Sequence, residues 1–261
     1  MKETKHKKTI QEYYSKRAAD YDRQKIRTWK SKQGFGDQLF SRLIDSLTEL
    51  KDKAVLEVCV GSGRTSLPLL KTVKPSLVGL DFSKEMLRNA KAKTREFKEK
   101  TELVLGEAEN LPFTDEAFDA LICTSAMHYF SHPIRNLTEF SRTLRKRSIF
   151  VYGDLTLHES DNQRFLDKLE KTVSLAHGSY YKPSEIAKML GNAGFRISDT
   201  VTFPYRKPLK SLMEDKARYF GVKPEALHKI IKNASERERE WYSISDNELT
   251  LFYTLIKALK E

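Results

Sequence analysis

The 261-residue chain has no apolar run of 18 residues, so no segment reads as a membrane span. Its basic start, MKETKHKKT, has no hydrophobic region behind it and is not a secretory signal. Cysteine is scarce. Cys59 and Cys123 are expected inside strands as small core residues of a reducing compartment, and their spacing does not suggest a metal site. These features predict a cytoplasmic protein. Internal repeats and low-complexity segments are absent, which leaves one large domain or a domain with insertions.

Charge, by contrast, is plentiful. Charged residues make up 32% of the chain and the formal net charge is +11. A basic balance raises a nucleic-acid partner, but Lys and Glu interleave along stretches such as KAKTREFKEK. That pattern favours solvated helix faces, a composition that also suits thermophiles.

The most informative stretch is VLEVCVGSGRTSLPLL, residues 55–70. A β-branched apolar run breaks into Gly61-Ser62-Gly63 and resumes as an amphipathic segment near Arg64. This predicts a buried strand, a tight glycine turn and a helix N-terminus. Gly61 and Gly63 allow close approach of a ligand to the backbone. The helix start offers free N–H groups to an anion. Glu57, inside the strand, would repel a phosphate and suits a cation. Asp81 ends the next apolar run, LVGLD, where a parallel nucleotide-binding sheet holds a ribose diol. A dinucleotide fingerprint would need glycine at 66, and the chain has Ser66. A ligand with a ribose, a cationic centre and no pyrophosphate fits, namely S-adenosylmethionine.

On these residues the chain resembles the class I S-adenosylmethionine-dependent methyltransferases. Two further elements join them. Tyr14 to Asp22, YSKRAADYD, is similar to the family's Y-x-x-x-A-x-x-Y-D, and Gly106 to Phe113, GEAENLPF, to its G-D-A-x-x-L-P-F. The resemblance implies a seven-stranded Rossmann-like α/β sheet with an antiparallel last strand, helices on both faces and helical lid insertions. It places Tyr14 and Tyr21 over the methionyl end, Glu57 near the ammonium, and Cys59, Gly61 and Gly63 along the cofactor backbone. It puts Asp81 and Phe82 at the ribose, Glu107 and Ala108 at the adenine edge, and Thr124 at the strand end facing the methyl group. Cys59 stands at the family's first glycine, and Glu57 and Glu107 replace its usual aspartates. His128 is the candidate general base. The resemblance lies closest to the small-molecule branch of ubiquinone and menaquinone biosynthesis, which makes His177, Tyr180 and Tyr181 candidate substrate contacts. Their plainer reading is a polar surface loop.

In order, residues 1–8 read as a frayed basic tail and 7–24 as a helix. A second helix, Phe35 to Leu50, completes an N-terminal cover. Ser83 is the expected N-cap of the helix after Asp81. Residues 51–204 form the expected core, with an insertion at 155–182. Between helix 132–146 and the fifth strand, Arg145-Lys146-Arg147 replaces the family's glycine turn. Residues 205–245 read as a helical lid, two helices broken at Gly221 and Pro224, and 246–261 as the last strand.

The expected activity is methyl transfer to a small-molecule acceptor by in-line displacement. The main alternative is an RNA methyltransferase in which Tyr205, Arg206, Lys207 and Lys210 of a basic lid contact phosphates. TSAMHY does not resemble the N/D-P-P-Y motif of adenine amino-methylating enzymes, and Cys123 is not placed as a pyrimidine nucleophile. Protein methylation needs an open groove, a scaffold role needs a filled pocket, and Ser66 with Glu57 argues against a dehydrogenase. The acceptor atom and the oligomeric state are not legible.

Overall fold

Successive residues of a strand face opposite ways, and here Val55 joins one apolar layer while Leu56 joins the other. The computed structural model describes residues 2–19, 21–22, 35–174, 176–212 and 224–261. Among them the strands are β1 (Ala54–Val58), β2 (Ser76–Asp81), β3 (Thr101–Leu105), β4 (Phe118–Thr124), β5 (Leu144–Thr156), β6 (Phe195–Pro208) and β7 (Glu248–Lys260). They form one seven-stranded sheet in the order β3-β2-β1-β4-β5-β7-β6. Pairs among β1 to β5 are parallel, and β7 runs antiparallel between β5 and β6. This is the expected Rossmann-like sheet with its antiparallel last strand.

The helices are α1 (Lys2–Arg17), α2 (Phe35–Asp45), α3 (Ser66–Thr72), α4 (Lys84–Lys93), α5 (Pro133–Thr143), α6 (Phe165–Val173), α7 (Pro183–Asn192), α8 (Pro224–Lys232) and α9 (Glu236–Trp241). Leucines of α2, α3, α6 and α8 cover one face of the sheet. Leu137 and Phe140 of α5 and Ile186 and Leu190 of α7 cover the other. Ser83 caps α4, its Oγ accepting from the Met86 N–H at 3.3 Å. The order of strands reverses between β1 and β4, and an open α/β sheet binds ligands at the carboxyl ends of the strands on such a switch point.

Several boundaries differ from the sequence reading. The basic tail is helical from Lys2. Lys7 bridges Glu107 at 2.8 Å and Glu109 at 3.2 Å, which ties this turn to the core. Cys59 lies just beyond β1, with φ +58, outside any strand. The helix after the glycine turn starts at Ser66, two residues past Arg64. No loop stands in for the family's glycine turn, because β5 begins at Leu144, directly after α5. Arg145 to Ser148 bulge between the pairs Phe118↔Leu144 and Ala120↔Ile149, and Arg147 takes the left-handed conformation, φ +62, that a glycine would supply. The segment read as starting at 205 is still strand until Pro208. Gly221 lies outside the described residues, and α8 begins at Pro224.

Candidate cofactor and active site

The turn after β1 is built from backbone conformations that side chains resist. Cys59, Gly61 and Gly63 have φ of +58, +55 and +73. At Gly63 a Cβ would also lie 3.3 Å from both Cα and Cβ of Ala90, so this glycine lets α4 pack against the turn. It does not line the cavity described next, contrary to the sequence reading. Ser66, at the missing third glycine, donates its Oγ to Glu57 at 2.5 Å and so holds that carboxylate.

The turn, the ends of β1, β2 and β4, the loop after β3 and helix α1 enclose a cavity of about 1030 Å³, including the part open to solvent. Tyr14, Tyr21, Glu57, Cys59, Gly61, Asp81, Phe82, Glu107, Ala108 and Thr124 all line it. They come from five separate stretches of chain.

Acids dominate its floor. Glu57 is 2% exposed, and burial raises its carboxyl to about 7. Asp81 accepts the Gly61 N–H at 2.8 Å and the Ser83 N–H at 2.9 Å, yet burial raises it to about 6. Two buried carboxyls lining one cavity suit a cationic group and hydroxyl donors. Contact with Cys123, together with burial, holds the Cys59 thiol well above its usual range. The Tyr14 ring lies tilted to Tyr21 at 5.9 Å and edge-to-face with Tyr129 at 5.7 Å, and burial raises its phenol.

Behind Tyr129 lies a second polar group. The His128 Nδ1 bonds the Asp154 carboxylate at 2.8 and 2.9 Å, and its ring packs on Tyr129 at 4.0 Å. His177 Nε2 bonds Asp167 at 2.7 Å, and burial lowers the His177 pKa. His177 and Tyr180 lie 5.9 and 5.2 Å from the His128 ring, and the Gly178 and Ser179 N–H groups donate to the His128 carbonyl. His177 and Tyr180 are therefore buried, not part of a polar surface loop. Tyr181 turns to the opposite apolar layer. His128, His177, Tyr180 and Tyr181 do not line the cavity.

Lys7, Arg64, Thr65, Tyr129 and Asn136 also line it and were missed. Lys7 sat in a stretch read as tail. Asn136 left a legible trace, because it lies one helical turn before Phe140, on the buried face of α5, where an apolar residue is expected.

Among the described residues, Tyr205, Arg206, Lys207 and Lys210 do not form the continuous basic face beside the cavity that the RNA alternative needs. Strand alternation turns Tyr205 and Lys207 inward, at 9% and 6% exposure, and Arg206 outward to Glu248 at 2.9 Å. None of these residues, nor Lys210, lines the cavity. The described parts of 205–245 pack on one face of the sheet, through Leu209, Leu212, Leu227 and Ile231.

The comparison with known families falls on the same stretch of chain. Residues 55–147 match a methyltransferase domain. That domain spans β1 through the start of β5, the part of the sheet that carries most of the cavity. The chain is 39% identical over 108 residues to the phthiotriol/phenolphthiotriol dimycocerosates methyltransferase of Mycobacterium tuberculosis, covering 41% of this chain and 39% of that one. It thus spans about two fifths of the length of that relative. To the demethylmenaquinone methyltransferase of Thermotoga maritima it is 28% identical over 181 residues, 60% of this chain and 76% of the other. A candidate methyltransferase from Bacillus halodurans superposes with a TM-score of 0.74 at 26% identity, covering 84% of this chain and 97% of its own. The methyltransferase domain and the sheet order therefore agree.

Proposed function

We propose that the protein is an S-adenosylmethionine-dependent methyltransferase acting on a small-molecule acceptor. The observation that carries this is the cavity at the sheet's switch point, with buried Glu57 and Asp81 on its floor inside a methyltransferase domain. The residues present suit the cofactor: Glu57 toward its ammonium, Asp81 toward its ribose hydroxyls, and Tyr14, Tyr21 and Phe82 against its apolar parts. The bound cofactor supplies a methyl group on a positively charged sulfur, already activated for displacement. The chain's work is then to align the acceptor in line with the sulfur–methyl bond and to exclude water. The aromatic cluster of Tyr13, Tyr14, Phe82 and Tyr129 around Ile10 provides that exclusion.

On the acceptor side we place His128, which does not line the cavity itself but packs on Tyr129, which does. Asp154 occupies its Nδ1, so proton transfer from an acceptor runs through Nε2. The similarity to the demethylmenaquinone methyltransferase of Thermotoga maritima supports an acceptor of the quinone class. The RNA reading loses its main support with the basic face.

The test is transfer of labelled methyl from S-adenosylmethionine to a panel of hydroquinones and phenols, beside tRNA and rRNA transcripts. Label in small acceptors and none in RNA is expected. Label in RNA alone would contradict the proposal. His128→Ala should leave cofactor affinity intact and slow turnover by about 10²-fold or more. If turnover survives, His128 only packs the loop.

A further inference from the structure

Most buried polar side chains in a folded protein have a hydrogen-bond partner, and an exception needs a reason. Asn136 is such an exception. It is 0% exposed, yet neither its Oδ1 nor its Nδ2 has a hydrogen-bond partner. It sits in the first turn of α5 and lines the cavity.

Its surroundings say which part of the cavity it serves. One turn further along the same helix face, Glu139 accepts the Leu111 N–H at 3.0 Å, and Arg142 donates to the Leu111 and Phe113 carbonyls at 3.1 and 2.8 Å. α5 is thus clamped onto the loop that follows β3, and Asn136 lines the same cavity as Gly106, Glu107 and Ala108 of that loop. Glu107, the acid expected to read the base, is 57% exposed and bonded to Lys7. The buried group with unfilled capacity is the amide.

We infer that Asn136 recognises the adenine ring of the cofactor, its Oδ1 accepting from the exocyclic amine and its Nδ2 donating to N7. An amide matches that donor–acceptor edge in two bonds at once. This rests on the proposed cofactor. It assigns base recognition to a helix residue outside the motifs that pointed to the site. The amide lacks partners without ligand and gains them with it, so its removal should affect affinity and stability in opposite directions.

The experiment uses the full-length protein titrated calorimetrically with S-adenosylhomocysteine and with S-inosylhomocysteine, in which a carbonyl replaces the amine. Wild type should prefer the adenosyl compound. Asn136→Leu and the purely subtractive Asn136→Ala should bind it roughly 10- to 100-fold more weakly and lose the preference. Their ligand-free melting temperatures should equal or exceed that of wild type. Variants that keep both affinity and preference overturn this assignment alone, as does a lowered melting temperature in both, which would mean the amide is already satisfied. Wild type that binds neither compound overturns the cofactor reading and this assignment together.

Discussion

Cys59 and Glu57 show what single positions contribute to this site. At φ +58 Cys59 occupies a conformation that glycine adopts freely and branched side chains resist. Cys59→Gly should change stability by no more than about 1 kcal/mol, whereas Cys59→Val should cost about 2 kcal/mol or more in denaturant unfolding. Equal costs would mean that packing against Cys123 dominates, not backbone strain. Glu57 carries a buried carboxyl raised to about 7. At pH 8 it is charged at a cost, and Glu57→Gln should then stabilise the ligand-free protein by about 1–3 kcal/mol while weakening S-adenosylmethionine binding at least about tenfold. At pH 4, below the unfolded carboxyl's 4.5, the two ligand-free proteins should unfold alike. These residues were legible because each stands at a fixed offset from a strand end. Asn136 was legible only as a polar residue on an apolar helix face, since its meaning depends on a cavity wall that only the folded helix creates.

Among the elements, α5 and the loop after β3 behave as one unit. Arg142 joins Glu139, Asp115 and two loop carbonyls within 3.1 Å. Arg142→Ala should lower stability by about 1–3 kcal/mol and also weaken cofactor binding, because the freed loop carries Glu107 and Ala108. Hydrogen exchange at Leu111 should accelerate in step, and unchanged protection there would refute the clamp. The strands themselves were legible in the sequence, since β-branched runs ending in Gly61, Asp81 and Thr124 leave few alternatives. Helix α1 was only partly so. Its first turn is nearly all charged, and the Lys7 pairs that tie it down span 100 residues to Glu107 and 102 to Glu109. The His128–Asp154 and His177–Asp167 pairs were hidden for the same reason, because sequence spacing does not show which loops meet.

The molecule as a whole couples ligand binding to pH. Burial raises Glu57 to about 7 and Asp81 to about 6, above their ordinary 4.5 and 3.8. The folded ligand-free protein therefore holds protons that the unfolded chain has released, and these groups' contribution to stability is full below pH 4 and lost as pH rises through 6 to 7. A cationic ligand beside Glu57 favours the ionised form and reverses that loss. The rise in melting temperature caused by S-adenosylmethionine should thus grow from pH 5 to pH 7.5. A pH-independent rise would show that neither carboxyl meets the ligand.

The account's central claim is that the cavity holds S-adenosylmethionine, and calorimetric titration of the purified protein tests it most directly, with NAD titrated separately. Micromolar binding of S-adenosylmethionine and none of NAD is predicted, lost in a folded Asp81→Ala variant. Binding of NAD alone, of neither ligand by folded protein, or undiminished affinity in Asp81→Ala would contradict it.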